Sequence, residues 1–600
     1  MRDVTDQETI SPGSVLEPHQ PHGPSAVGRL LRVVLGALSG LLAAAVSLGF
    51  AELVAVAARP EASPVTAVGG AVIDRTPVSL KDYAVRNFGT NDKLVLQLGI
   101  VAILALFAFA LGVFALRFRR TGCAGVLAFG VIGAVAAWSR PDYHRLDALP
   151  SIVGALLGAA ALWLLTERLT LRTTPAARLP EQATAPVPQT PTDPTTLTDP
   201  TSPSPVEHTT EDDEDTVETP LPRTETPAAE AGPTSRPAFD RRGFVLAAAA
   251  TAAASAGAGA LGRTLNNRRG AVAVASRAAI ALPAPASRAA AVPRGADLGI
   301  PGLSEFTTPN AKFYRVDTAL VVPKIDATTW RLRIHGMGVG KELTLSYDDL
   351  LRRDLIERDI TLTCVSNQVG GPYVGNARWI GVRLADLLRE AGVRPPSRGG
   401  KADQLVAHSV DGMAIGSPVE TVLDGRDAML ALGMNGEPLP FAHGFPVRML
   451  VPGLYGYVSA CKWLHELELT TFDSYDAYWV KRSWSREAPI KTESRIDTPK
   501  PFASPKAGRV PVAGVAWAQH RGIDRVQVRV DGGRWQTARL ADEDSTDTWR
   551  QWLWEWDATP GSHTLEVRAT DRDGYTQTDH RVGTVPNGAT GWHSVVVSVD

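Results

Sequence analysis

Two stretches, 31–57 and 94–116, limit how this chain can fold more than any other feature, because each is long, apolar and almost uncharged. Crossing a hydrocarbon layer takes about 20 residues of helix. The sequences "LLRVVLGALSGLLAAAVSLGFAELVAVAA" and "KLVLQLGIVAILALFAFALGVFAL" both exceed that length. Shorter Gly/Ala-rich runs at 122–139 and 148–166 suit close helix packing beside them. A helical transmembrane bundle with four spans is therefore expected within 1–170. A single soluble core does not account for 600 residues distributed in this way.

Arginines orient the bundle. Arg29 and Arg32 precede the first span, Arg117, Arg119 and Arg120 follow the second, and Arg168 and Arg172 follow the fourth. Basic residues concentrate on cytoplasmic flanks, so all three clusters predict a cytoplasmic N-terminus. The first span is also too long, and too far behind its leader, for an ordinary cleavable signal peptide.

From 171 to 239 the chain is rich in Pro and Thr and poor in aromatics. Such a segment cannot bury enough apolar surface to offset its ordering and is read as a disordered linker, with its "EDDED" run solvating the tether rather than holding a metal. Residues 240–262, "DRRGFVLAAAATAAASAGAGALG", read either as a fifth apolar anchor or as an internal twin-arginine-like export signal built on Arg241 and Arg242. Both readings carry everything beyond to the extracytoplasmic side of the cell membrane.

The soluble part divides again. Within 290–500, "TWRLRIHG" and "LTLSYDDLLRR" read as a strand, a turn and a short helix, and "GVRLADLLREAGV" as a helix stopped by Gly, which together describe an α+β domain. Within 505–600, "DRVQVRVDGGRWQTARL" and "SHTLEVRATDRDG" alternate with period two, with a hairpin signal at Asp531, Gly532 and Gly533, as in a small β-sandwich. Of Trp549, Trp552, Trp554 and Trp556, at least two are expected to cover a core or an interface.

The chemistry-bearing residues exclude several classes. No HExxH, CxxCH or CxxC pattern occurs, and no GxSxG elbow or Walker A loop lies in a suitable context. Only three cysteines occur, and Cys364 stands at the end of the strand-like "RDITLTC". On residues alone it is an inert buried thiol, a nucleophile or a soft metal ligand. Cys123 and Cys461 are read as isolated thiols. In "MNGEPLPFAHGFPVRMLVPGLYGYVSACKWL", His443, Arg448 and Lys462 give donors along a glycine-rich rim suited to an anionic cofactor.

Four co-linear motifs, "TLTCVSN", "GNARWIGVRLADLL", "MNGEPLPFAHGFPVR" and "VPGLYGYVSACKWL", resemble the sulfite oxidase family of molybdenum enzymes. The resemblance covers about 300–600 and includes a C-terminal Ig-like sandwich similar to the family's dimerisation domain. It implies molybdenum held by one molybdopterin and by Cys364, with two-electron oxo transfer on a small-molecule substrate. It implies cofactor contacts at Asn310, Tyr314, Arg315, His443, Arg448, Ser459 and Lys462. The resemblance also marks a departure: sulfite oxidases carry an arginine five residues after the ligand cysteine, and Val369 stands there, with only "GGPYV" before the "GNARW" segment. Arg315 and Arg378 are the candidates to supply the missing catalytic charge.

The resulting expectation is a multi-domain chain: transmembrane bundle, sulfite-oxidase-like α+β domain and Ig-like β-sandwich. Sulfite oxidation and reduction of sulfoxide-like substrates are the enzymatic readings, and a non-catalytic extracytoplasmic binding module is the alternative from another class. No haem is expected in the chain, so electrons must pass to an external partner such as a cytochrome or a quinone-linked protein. Membrane lipid and a second copy through the C-terminal domain are further partners. No nucleic-acid partner is expected.

Overall fold

The computed structural model describes residues 26–77, 80, 92–140, 143–169 and 241–600. The Pro/Thr-rich linker expected at 171–239, with its acidic run, lies outside the described residues.

The N-terminal region is helical: α1 (Ala26–Ala57), α2 (Pro64–Arg75), α3 (Asp92–Ala115), α4 (Arg119–Trp138), α5 (Leu149–Leu169) and α6 (Arg241–Ala278). All but the short α2 belong to helices long and apolar enough to cross a membrane. Their apolar side chains face outward along much of their length, among them Leu106, Phe107, Val131 and Leu156, the surface that lipid requires and water disfavours. The amphipathic α2 has no counterpart in the sequence reading. Nor does the length of α6, which runs on to Ala278 rather than stopping near 262 because Ala-rich "GAVAVASRA" offers no helix breaker but Gly.

Residues 331–470 build one mixed and one antiparallel sheet around one large core. Strands β1 (Arg331–Gly336), β2 (Leu343–Ser346), β3 (Leu355–Thr363), β4 (Val374–Arg383), β5 (Gln404–Ser409), β6 (Ala414–Pro418), β7 (Met429–Met434), β8 (Glu437–Pro438), β9 (Arg448–Leu450) and β10 (Leu464–Thr470) assemble as β2-β1-β10-β5-β6 and β3-β4-β7-β8, with β9 added to β7. Only β1 and β10 pair in parallel. Ser346 starts the short helix α7 (Tyr347–Leu351) by accepting from the Asp349 amide, while the Asp349 carboxylate accepts from the Ser346 amide. This reciprocal cap is the reason "LSYDDLL" turns from strand to helix at that serine.

The C-terminal region is β-rich. Strands β11 (Glu493–Thr498), β12 (Gly508–Trp517), β13 (Ile523–Val530), β14 (Gln536–Thr537), β15 (Arg539–Leu540), β16 (Arg550–Ala558), β17 (Gly561–Asp571) and β18 (His593–Val599) form sheets β11-β12-β16-β15 and β14-β13-β17-β18 over a shared apolar core. Asp531 and Gly532 both take positive φ at the hairpin. Trp549, Trp552 and Trp556 are buried. Trp549 leaves the C-terminal core altogether and packs into that of the preceding unit.

The three regions touch. The helix ends that meet the 331–470 unit and its flanks are those where α2 closes, α3 begins and α4 ends: Tyr478 bonds to Asp74, Lys93 to Asp317, and Arg140 donates to the Asp411 carbonyl at 3.3 Å. The arginines at 117, 119, 120 and 168 stand at the opposite ends of α3, α4 and α5.

Candidate functional site

Cys364 is the first residue after β3, and three features end the strand there. Its amide donates to the Tyr373 carbonyl at 2.9 Å, its carbonyl accepts from the Asn367 amide at 3.0 Å, and Gly370 follows with φ +77. A Cβ at Gly370 would lie 2.1 Å from the His593 ring, so both conformation and space demand glycine. The half-buried Cys364 thiol has its pKa pushed up by burial, against the hydrogen bonds of Ser366 and the positive charge of Lys462. All three cysteines are free.

The C-terminal region holds this strand end. Gln519, fully buried, donates to the Thr361 carbonyl at 3.0 Å and to the Thr363 hydroxyl at 2.9 Å. The Trp549 amide donates to the Thr361 hydroxyl at 2.7 Å, and Arg495 donates to the Gly371 carbonyl at 2.8 Å. Glu493 is buried nearby, beneath Tyr455, and burial raises its carboxyl to about 8 despite Lys491.

Lys462 acts on the thiol, and Arg448 stands near Lys462 and Tyr314. Arg448 begins β9 fully enclosed, with its guanidinium over the Trp379 ring at 5.4 Å. Burial lowers its pKa to about 10. Its Nε has no hydrogen-bond partner, and among the described residues no carboxylate pairs with it. Lys462 is largely covered, its side chain 11% exposed, with its pKa lowered by burial to about 8 against the opposing charge of Asp317, which its ammonium meets at 2.8 Å. Gly444, at φ +113, lets the two approach; a Cβ there would sit 3.2 Å from both Arg448 Cβ and Lys462 Cα.

His443 is 5% exposed, and burial together with Arg448 lowers its pKa to about 4. A carbonyl only accepts, so the 3.0 Å contact with the Asn310 carbonyl places the proton of the neutral ring on Nε2 and leaves Nδ1 as an acceptor. Asn310 is held by Glu437 at 2.6 Å, and Arg277 of α6 holds Glu437 from the other side at 3.0 Å. Tyr314 stacks on Phe313, and Phe313 meets both Trp379 and His443 edge-on. The Ser459 hydroxyl is engaged by the carbonyls of Leu454 and Tyr455 at 2.9 and 3.0 Å.

Thus Tyr314, Arg315, His443, Arg448, Lys462 and Cys364 come together, with Asn310 behind His443. Arg378 does not join them. Its guanidinium grips Asp359, its cross-strand partner, and also donates to the Ala290 carbonyl at 3.0 Å. Asp359 precedes Cys364 by five positions, about 16 Å along the strand.

Residues that sequence reasoning missed include Asp317, Asp411, Glu493 and Gln519. Asp317 lies two residues beyond Arg315 in "KFYRVDTALVVP", so its proximity was readable; its partners were not. Its carboxylate is 3% exposed and meets Lys462, Arg315 at 3.1 Å, and Lys93 of α3. Burial would raise its pKa, but Lys462 and Lys93 hold it down to about 2.

With this geometry in place, comparison with known proteins is informative. Residues 319–479 match the family model "Oxidoreductase molybdopterin binding domain". The chain is 30% identical over 341 residues to mitochondrial sulfite oxidase of Homo sapiens, covering 49% of this chain and 62% of that one. It is 31% identical over 159 residues to the uncharacterized oxidoreductase YuiH of Bacillus subtilis, covering 26% of this chain and 74% of that one. The solved sulfane dehydrogenase SoxCD of Paracoccus pantotrophus matches at 24% identity over 50% of this chain and 84% of that one, with a TM-score of 0.43. The chain therefore spans less than two thirds of the length of the human protein.

Proposed function

This chain belongs to the sulfite oxidase family of molybdopterin-dependent oxidoreductases, and on that premise we propose that it is a membrane-anchored enzyme of two-electron oxo transfer on a small substrate. Cys364 would be the protein ligand to molybdenum. Asn310, Tyr314, Arg315, His443, Arg448, Ser459 and Lys462 would hold the molybdopterin. The bound group supplies the two-electron redox change; the chain supplies charge, orientation and exclusion of water.

The observation that carries this reading is Arg448, a buried guanidinium with an orphaned Nε and no carboxylate among the described residues. A buried charge without a partner is costly, and an anionic cofactor would offset that cost through the charge-assisted hydrogen bonds that a guanidinium favours. Lys462 adds a second cation, and its charge favours the thiolate form of Cys364 that metal ligation requires. Neutral His443 offers Nδ1 as an acceptor at the same rim. In this reading Arg378 serves strand pairing rather than the reacting centre.

Sulfite is the first substrate in this proposal, because Arg315 and Lys462 present cations to a small oxyanion. Val369, apolar and 9% exposed, favours a second reading in which an uncharged sulfoxide-like molecule is reduced. The basic ends of α3, α4 and α5 lie away from the catalytic unit, which supports an extracytoplasmic site by the excess of basic residues on cytoplasmic flanks. An external cytochrome or quinone-linked protein would then exchange electrons with the enzyme. We read the two C-terminal sheets as the Ig-like unit through which a second copy would pair.

The test is elemental and pterin analysis of the full chain, made in cells that synthesise molybdopterin. About one molybdenum per chain is expected in the wild type, with the redox-active metal signal lost or disabled in Cys364→Ala. Turnover by metal-free wild-type protein would overturn the proposal.

A further inference from the structure

We propose that Lys93, contributed by α3, is a specificity-determining residue of the Cys364 pocket, where it equips the rim to take a small oxyanion. This rests on the oxo-transfer reading above and adds to it a residue from outside the matched family domain, which begins at 319.

The side chain of Lys93 leaves the first turn of α3 and enters the catalytic unit, where it is 15% exposed. Its ammonium bonds to Asp317 and donates to the Ala319 carbonyl at 2.6 Å. The three cations divide the carboxylate between them: Lys93 takes Oδ1, while Lys462 and Arg315 take Oδ2. Lys462 and Arg315 each meet Asp317 through one oxygen, the one that Lys93 leaves to them. A lysine has three donors and an arginine five, so both retain N–H groups for another acceptor.

Lys462 and Arg315 thus share one oxygen of a single carboxylate, an excess of positive charge on that oxygen's side. Low-dielectric surroundings make such an excess costly until an anion arrives. Asp411 is the other carboxyl that faces Lys462, and burial raises its pKa. Lys93 thereby acts on the two pocket cations from a helix in the N-terminal region, through the carboxylate that they share. A purely mechanical staple between helix and domain would have no reason to converge on the same carboxylate as two pocket cations.

The experiment uses the cofactor-loaded full chain in lipid nanodiscs, with Lys93→Ala and Lys93→Arg variants. Sulfate serves as an unreactive oxyanion, sulfite as the substrate and dimethyl sulfoxide as an uncharged probe. Loss of one partly buried charge is expected to weaken sulfate binding about tenfold in Lys93→Ala and to raise KM for sulfite similarly, with kcat within about twofold. Dimethyl sulfoxide should be unaffected, and Lys93→Arg should restore sulfate binding. Carbodiimide should also join Lys93 to Asp317 in the wild type, as read by mass spectrometry.

The inference is overturned if wild-type protein binds no sulfate, if Lys93→Ala leaves sulfate affinity within about twofold, or if the anion and the sulfoxide weaken equally, as simple undocking would cause. The oxo-transfer reading fails separately, by absence of molybdenum from the wild type. Sulfate titration of that same chain would still decide the role of Lys93.

Discussion

On its C-terminal side the catalytic unit is held by Gln519, Trp549 and Arg495, which bond to the chain on both sides of Cys364. On its helical side it is held by Lys93 on Asp317, Arg277 on Glu437 and Arg482 on Asp74, contacts between charges nearer to solvent. The two sides also treat a carboxyl oppositely. Glu493 is kept neutral by burial, whereas Asp317 is kept ionised by ammonium groups despite burial. One neighbour thus shapes the backbone that presents the thiol; the other adjusts the charge around it. The buried neutral bonds of Gln519 and Trp549 resist salt and pH, and partly exposed ion pairs respond to both.

The largest expected effect tests the neutral side. The folded pKa of Glu493, about 8, lies above its ordinary 4.5, so the stability associated with its protonated form is fully present below 4.5 and is lost as pH rises through 8. At most roughly 5 kcal/mol is involved. Glu493→Gln should flatten the dependence of the unfolding midpoint on pH between 4.5 and 8; an unchanged slope would remove this half of the contrast.

Gln519→Leu comes next. It removes two buried hydrogen bonds and leaves the Thr361 carbonyl without that donor, at a cost of about 2 kcal/mol. The loss should be the same at low and high salt, measured by denaturant unfolding of the full chain. A salt-dependent loss would mean that the two sides do not differ in kind.

The smallest effect lies on the charged side. Asp317 titrates at about 2 instead of 3.8, so its contribution is present above 3.8 and is lost as pH falls through 2. That contribution is about 2 kcal/mol before solvent screening. Asp317→Asn should remove it and abolish carbodiimide joining to Lys93, while wild-type joining should weaken as salt is raised.

The parts of this molecule legible in the sequence are those with local signatures. Apolar runs marked the helices now seen at Ala26–Ala57 and Asp92–Ala115, and "LTLSYDDLLRR" marked the short helix at Tyr347–Leu351. "VDGG" marked a hairpin, and the motifs around Cys364, His443, Arg448 and Lys462 marked residues that do converge. Arg378 shows the limit of such reading: it stands in a matching motif, yet strand alternation directs it to Asp359. Trp549 belongs by sequence to the C-terminal strands and by packing to the core of the preceding unit.

By itself, then, the sequence determined the apolar segments, the alternation of the strands, the single thiol at a strand end and the cationic residues near it, because hydrophobic periodicity and motif spacing act over a few residues to a few tens. Tertiary structure alone decided which charges share a carboxylate and which side chains steady the thiol. Lys93 meets Asp317 across 224 positions, and Gln519 meets Thr363 across 156. Pairings of that reach have no local period to announce them: they arise when separately folded surfaces exclude water together, and a buried charge or carbonyl takes whichever partner the packing brings within reach.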